Sequence, residues 1–532
     1  MEDAIPTPAR RRSEAGPAVD RLAEARALRD AGRPDKAEAL AQKALRRDPD
    51  DGDALHLLGL IAQDRGRLPR AVQLLEKAAR SAPDSPAVLC DLGLAYKAAG
   101  RLDESIACQR RVAERLPDSP LALSNLGAAL IAAGAAAEAV APLARASALA
   151  PAHAEIAYNL GSALLAAGRA ADAESAFRRA LALDPTHVRA RTNLGVALKE
   201  QRRVEESIAA LRDAVAAAPG YADAEWNLAL ALMLDGRWAE GLSHYESRRR
   251  LAGFAIRRVD AAPWNGEPLR GRSLLVHAEQ GLGDAIQFCR WLSRLGTLDG
   301  PVTLLPPPAL RPLFRSLDVP VAVADGSDVP PTDLELPLMS LPHLVGPAEP
   351  FWPDAGPYLA PEPARLARWR NELGGSHGLT IAIAWQGNRD YRADRRRSIP
   401  LDAFEPLARL PDVRLVSLQQ GAGHEQLAAV PWADRVRDLG PEIDRDGAFL
   451  DSAAIALAAD AVVTSDSSIA HVAGAVGARV MLALCDVPDW RWGTRGDTTP
   501  WYPSARLFRQ AAPGDWNGVF ARIAASLAEG PA

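Results

Sequence analysis

Two patterns of apolar and polar positions divide the 532-residue chain. Over residues 18–255 apolar segments such as "SNLGAALIAAG" and "YNLGSALLAAG" return at a fixed interval, with small residues at constant places. Beyond residue 255 the interval is lost, and short apolar runs of strand type alternate with helical patterns: "SLLVHAE", "GLGDAIQFCRWLSRL", "PVTLLPP" and "ALRPLFRSL". After the Pro-rich "PAEPFWPDAGPYLAPEP" the alternation resumes with "LTIAIAW", "RLVSLQQ", "DSAAIALAAD", "AVVTSD", "SSIAHVAGAVG" and "RVMLAL". Strands alternating with helices predict parallel sheets joined by crossover helices. The expected organisation is a flexible tail (1–17), a helical repeat array (18–255), an N-terminal α/β half (256–360) and a C-terminal α/β half (361–532) facing it across a cleft.

The repeat interval is 34 residues. A small residue after a Leu recurs as Gly59, Gly93, Gly127, Gly161, Gly195 and Ala229. Gly32, Gly66, Gly100, Gly134, Gly168, Arg202 and Gly236 form a second column, and Pro49, Pro83, Pro117, Pro151, Pro185 and Pro219 a third. Small residues let two helices approach, Gly supplies the turn between them, and Pro cannot continue a helix. The pattern resembles the tetratricopeptide repeat, a helix–turn–helix unit, and about seven units fit. The resemblance implies an α-helical superhelix whose concave face binds an extended partner.

Asn125, Asn159, Asn193 and Asn227 share one register position and are half of the eight asparagines in the chain, with Asp91 in the same column. Asn is a mediocre helix former. The column lies two residues before the packing Gly or Ala, about 200° around the helix from it. It reads either as inherited repeat consensus or as a ladder of amides that donate and accept along the backbone of an extended peptide.

A net charge of -5 argues against a general nucleic-acid partner. Four scattered cysteines, without metal-ligand or disulfide spacing, suit a reducing compartment. The first residues lack the apolar core of a signal peptide, and no uninterrupted apolar stretch of about 18 residues occurs. A cytoplasmic protein with no membrane span is expected, and neither a metal nor a cofactor is called for.

Candidate chemistry gathers at strand-to-helix junctions. "HAEQGLGDAIQF" departs from the dinucleotide fingerprint because Ile286 stands where the third glycine belongs, and no phosphate-binding G-x-x-x-x-G-K-[ST] occurs. Asp284 reads either as a charge favoured at a helix start or as a carboxylate able to accept a proton from an attacking hydroxyl. "IAWQGNRDYRADRRRSIPLDAF" places Asn388 and Arg395, Arg396 and Arg397 after a strand, as a solvated face or as forks for diphosphate oxygens. In "TSDSSIAH", Asp466 or Ser467 reads as a helix cap, or Asp466, Ser467, Ser468 and His471 read as an anion site at a strand end. "CDVPDWRWG" sets Trp490 and Arg491 after the next strand, and the D-x-D of Asp444 and Asp446, in a loop before a helix, reads as a solvated turn in preference to a metal pair.

"QGLGDAIQF" and "SDSSIAHVAGAVG" together resemble the heptosyltransferase-like glycosyltransferases, over residues 255 to 530. The resemblance implies a GT-B fold of two Rossmann-type subdomains, an α/β unit with a nucleotide-sugar as co-substrate. It implies Asp284 as the base, and Gly281, Gly283, Arg397, Asp466, Ser467, Ser468 and His471 as donor-binding residues. A lysine is common in that family where Arg397 stands, which leaves the donor's identity open. Repeats fused to such a unit are similar in architecture to the protein O-GlcNAc transferases, which implies that Asn125, Asn159, Asn193 and Asn227 hold an acceptor polypeptide. The expected activity is metal-independent transfer of a sugar from a nucleotide diphosphate to an acceptor hydroxyl. The alternative is a non-catalytic interaction scaffold with a degenerate transferase domain.

Overall fold

The computed structural model describes residues 18–254, 257, 259–326, 331–346, 356–374, 378–389 and 394–529. The tail expected over residues 1–17 lies outside the described residues. The described chain forms two compact units that divide at Ala197/Leu198, ahead of the point near residue 255 where the repeat pattern ends.

The first unit is built of antiparallel helix pairs, beginning with Ala18–Asp30 and Pro34–Leu45, and continuing in the same rhythm to Ala154–Ala166 and Ala170–Leu183. Each inner glycine is a contact point. At Gly161 a Cβ would lie 2.6 Å from Cε1 of Phe177 on the second helix of its pair, so only a residue without a side chain lets the two axes approach this closely. The turn column is left-handed, from Gly32 at φ +70° to Gly236 at φ +85°. Arg202 occupies the same column at φ +62°, a conformation that costs a non-glycine residue about 1–2 kcal/mol.

The second unit begins with the last repeat helices, Val204–Ala217, Ala222–Leu234 and Trp238–Tyr245, followed by a 3-10 turn Glu246–Arg250. Two all-parallel sheets follow. The first comprises β1 (Ala262–Pro263), β2 (Leu274–His277), β3 (Val302–Leu305), β4 (Ala322–Val323) and β5 (Leu334–Pro337) in the order β1-β5-β2-β3-β4. The second comprises β6 (Leu379–Ala384), β7 (Val413–Ser417), β8 (Val436–Asp438), β9 (Ala461–Ser465), β10 (Val480–Leu484) and β11 (Ala505–Arg509) in the order β11-β10-β9-β6-β7-β8. Read from β8, this is the 3-2-1-4-5-6 arrangement of doubly wound nucleotide-binding sheets, with its reversal of strand order between β6 and β9. The central strands β6, β9 and β10 are buried on both faces, as parallel sheets with helices on either side require.

Leu228, Ala231, Leu232 and Leu242 of the last repeat share one hydrophobic core with Leu274 and Val276 of β2, which explains why the packing boundary precedes the end of the repeats. A buried ion pair reinforces this join. Arg248, fully buried, donates to Glu279 through Nη2 at 2.6 Å and Nε at 3.2 Å, to Glu246 at 2.6 Å and to the Ser340 hydroxyl at 2.7 Å. Among the described residues no helix is long and apolar enough to cross a membrane.

Arg248→Met would leave the Glu279 carboxylate buried without its cation. We expect a loss of about 3–5 kcal/mol in the stability of the second unit, with Arg248→Met/Glu279→Leu recovering most of it. Denaturant unfolding of the full chain, followed by tryptophan emission, checks this; an unchanged midpoint in the single variant would mean that the pair contributes nothing.

Candidate functional site

Four parallel strands deliver the candidate residues to one cleft of about 960 Å³ at the carboxyl ends of the two sheets. The turn after β2 brings Gly281, Gly283 and Asp284, and the segment after β6 brings Gly387, Asn388, Arg396 and Arg397. The junction after β9 brings Asp466, Ser467, Ser468 and His471, and the loop after β10 brings Asp489, Trp490 and Arg491. The β6 and β9 ends flank the reversal of strand order, where a crevice opens because the crossovers depart to opposite faces. Every α/β residue singled out for the donor or for proton transfer therefore lines the same cleft. The side chain of Arg395 lies outside the described residues.

The helix Ser468–Ala475 starts directly from β9. Ser467 occupies its N-cap position with extended backbone, yet its side chain makes no capping hydrogen bond; its Oγ lies 3.4 Å from the Thr464 hydroxyl instead. His471 is buried, with Nδ1 2.9 Å from the Tyr502 hydroxyl and its ring stacked 5.6 Å from Trp492. Burial first, then the charges of Arg491 and Arg397, lower its pKa well below the usual range, so the ring is neutral at pH 7. A Cβ on Gly283 would meet His471 Cδ2 at 3.0 Å and Ser468 Oγ at 3.2 Å. The glycine thus lets the helix Leu282–Phe288 of the first half close onto the β9 junction of the second.

Arg491 is the electrostatic centre. Almost wholly buried, it donates through Nε to Gln287 Oε1 at 2.5 Å, through Nη1 to Asp489 Oδ1 at 2.8 Å, and through Nη2 to Asp284 Oδ1. Its guanidinium also covers the Trp490 ring at 4.2 Å. Asp284 accepts in addition from the Gly281 N–H at 2.9 Å, closing the first turn of its helix, so both carboxylate oxygens are engaged. Among the described residues no cation pairs directly with Asp466. Burial and then the neighbouring charge of Asp489 raise its pKa to about 6, against the opposing pull of Arg397 and Arg491. Arg397 donates through Nε to Asp394 at 3.1 Å, and Arg396 pairs with Glu200 at the end of the helix Val188–Glu200. Among the described residues no group of three His, Cys, Asp or Glu side chains gathers as a metal site.

The asparagine column does internal work. Asn125 donates to Cys90 Sγ at 3.2 Å, Asn159 to Ser124 Oγ at 3.1 Å and Asn193 to Ser162 Oγ at 3.5 Å, each reaching the preceding repeat. Asp91 does likewise, 2.7 Å from His56 Nε2. Asn227 instead donates to the Asp223 carbonyl of its own helix at 2.8 Å. All four are half-buried, which leaves part of each amide at the surface.

Some of the site carries no sequence signal. Trp226, Leu230, Leu234, Tyr245 and Phe254, from the last repeat and the segment after it, line the same cleft. Glu279 and Asp489 look like ordinary loop acids until Arg248 and Arg491 are found against them. Asp444, expected in a solvated turn, is a helix cap: its Oδ1 accepts from the N–H groups of Asp451 and Ser452, and its Oδ2 from the Ser452 hydroxyl at 2.6 Å. Asp446 is exposed and pairs with Arg365 at 3.2 Å.

Comparison with known proteins bears on the repeats. Two family models described as tetratricopeptide repeat match, one over residues 22–86, 142–188, 158–222 and 192–253, the other over 62–130. Protein FlbA of Caulobacter vibrioides is 30% identical over 317 residues, 55% of this chain and 52% of that protein; the chain thus spans about half the length of the curated relative it matches. Among solved structures, a tetratricopeptide repeat protein from Parabacteroides merdae is 14% identical, over 43% of this chain and 92% of that one, with a TM-score of 0.37. YrrB, described as a TPR protein with an unusual peptide-binding site, is 21% identical over 35% of this chain and 95% of that one, with a TM-score of 0.30. The N-terminal half of the chain is an array of tetratricopeptide repeats, the kind of scaffold on which protein partners dock.

Proposed function

We propose that the chain is a metal-independent glycosyltransferase of GT-B type, moving a sugar from a nucleoside diphosphate to a hydroxyl of a polypeptide that the repeats recruit. The observation that carries this reading is the convergence of Asp284, Arg397, Ser467, Ser468 and His471 on one cleft at strand ends, from two sheets and three separate stretches of sequence. Arg397, the hydroxyls of Ser467 and Ser468, and the N–H groups that open the helix Ser468–Ala475 suit the oxygens of a diphosphate. A nucleotide-handling enzyme of this kind belongs in the cytoplasm.

In the reaction, the acceptor oxygen attacks the anomeric carbon and the bond from that carbon to the diphosphate oxygen breaks, with its electron pair staying on the diphosphate. Asp284 takes the acceptor proton. The charge developing on the leaving group meets Arg397 and the helix start, donors already fixed before the reaction. With Nδ1 accepting from the Tyr502 hydroxyl, the tautomer this reading requires, neutral His471 offers Nε2–H as a hydrogen-bond donor rather than a charge. Asp284 can serve as base once the sugar and acceptor displace part of its pairing with Arg491. That same pairing is what favours the second reading, a scaffold whose aspartate is purely structural.

Calorimetry on the full chain separates the two. We expect at least one common nucleoside diphosphate to bind without magnesium, with affinity reduced about 10-fold or more in Arg397→Ala. Absence of heat with every nucleoside diphosphate, with or without magnesium, would favour the scaffold. Asp284→Asn keeps the shape of the site but cannot take a proton, so turnover should fall about 100-fold or more while donor affinity is retained; full turnover in this variant would assign the base elsewhere.

The Asp466 carboxyl sets a pH dependence. The unfolded chain releases this proton near pH 4 and the folded chain at about 6, so the folded form holds it through that window. Stability from this group is therefore greatest at low pH and falls as pH rises through 6. Asp466→Asn removes the titration, and its stability relative to the unsubstituted chain should rise by up to about 3 kcal/mol between about pH 4 and pH 7. Denaturant midpoints measured across that range check this, and parallel pH profiles would show that Asp466 ionises as it does in water.

A further inference from the structure

The cleft has a second wall that is not built for phosphate. The helix Ala222–Leu234 turns Trp226, Leu230 and Leu234 toward it, at spacings of one helical turn. The Trp226 ring lies 4.7 Å from Tyr245 and 4.7 Å from Phe254. Trp226, Leu230 and Phe254 are only partly covered, whereas Tyr245 is buried behind them and its ring lies 6.0 Å from Trp490. The wall is held in place. The Tyr245 hydroxyl is 3.5 Å from Gln280 Oε1, and Gln280 itself sits at φ +60°, a strained position between the Arg248–Glu279 pair and Gly281. Strain of this kind persists only where surrounding contacts over-determine the backbone.

Three observations choose the occupant. The wall comes from a repeat helix, and the next residue along it, Asn227, stands in the register of the asparagine column. One helix therefore presents the repeat face and the cleft wall, about 100° apart. The donors suited to phosphate, Arg397, Ser467 and Ser468, come from the second sheet, while the wall adjoins the turn that carries Asp284. Finally, about 960 Å³ is at the upper end of the roughly 300–1,000 Å³ range of small-ligand pockets, enough for a donor and part of a second substrate.

We propose that Trp226, Leu230 and Phe254 form an acceptor subsite, which takes an aromatic or branched apolar side chain of a polypeptide close to the hydroxyl presented to Asp284. The proposal rests on the transferase reading for the hydroxyl and on the repeat helix for the polypeptide. Burying one large apolar side chain here corresponds to roughly a 10-fold gain in affinity or more.

The test uses the full chain and fluorescently labelled synthetic peptides of about 12 residues, each with a central serine flanked either by Phe and Leu or by Gly and Ala. Anisotropy measures peptide binding, and calorimetry with UDP, ADP and GDP runs beside it. The apolar-flanked peptide should bind roughly 10-fold more tightly, and Trp226→Ala should erase that preference while leaving nucleoside diphosphate affinity unchanged within about 2-fold. Trp226→Leu, which keeps an apolar side chain against Tyr245, should retain part of the preference and guards against a folding defect. Equal binding of both peptides would overturn the proposal, as would a Trp226→Ala variant that loses nucleotide affinity and keeps its peptide preference. If no nucleoside diphosphate binds but the Phe preference persists and depends on Trp226, the transferase reading fails and the polypeptide subsite stands.

Discussion

A guanidinium with almost no access to water must find its counter-charges within the protein, and Arg491 finds them on both sides of the cleft. Asp489 lies on its own loop, whereas Asp284 and Gln287 come from the helix Leu282–Phe288 of the other half. Removing such a cation from water costs several kcal/mol, which is recovered only if these partners stay in place. The relative placement of the two α/β halves is thus tied to the charge balance of the site. The consequence reaches Asp466, whose pKa burial and the neighbouring charge of Asp489 raise to about 6. A ligand that brings negative charge into this cleft meets a pocket whose cations are already committed, so binding redistributes ion pairs and does not simply add one.

The backbone does the rest of the positioning. Parallel strands place their carboxyl ends on one edge, and reversal of the strand order between β6 and β9 opens that edge to solvent. Gly283 sets how closely the opposite half approaches, because any side chain there would press on His471 and Ser468. Tyr358 bridges the same join, its N–H bonded to the Ala475 carbonyl and its hydroxyl to the Ile286 carbonyl at 3.0 Å.

The last repeat is integral to the α/β unit. Its helices share the core of the first sheet, Arg248 ties the segment after it to Glu279, and Arg396 reaches back to Glu200. The last repeat thus supplies part of the cleft wall within the same compact unit as the two sheets. Repeat stacks transmit stability through nearest-neighbour contacts, and here the hydrogen bonds of Asn125, Asn159 and Asn193 are among those contacts.

The repeat architecture was legible residue by residue, because a 34-residue period repeats the same steric demand: a glycine where helices touch, a left-handed turn, a helix-ending proline. Even Arg202 kept its place in the turn column. Strands β2, β3, β6, β7, β9 and β10 were legible as apolar runs, and the residues at their ends could be named because strand-to-helix junctions are where polar groups must gather. β5 and β11 were not legible, since "LELP" and "ARLFR" carry charges that only the fold accounts for; Glu335 is accepted in β5 because His277 on β2 lies 2.8 Å away. The partners of Asp284, the internal bonds of the asparagine column and the aromatic wall were equally hidden. Period and apolar alternation are local properties and survive in the one-dimensional chain. Which charge neutralises which, and which helix face closes a cleft, depend on contacts such as Asp284 with Arg491, 207 residues apart, and these exist only once the two sheets have packed.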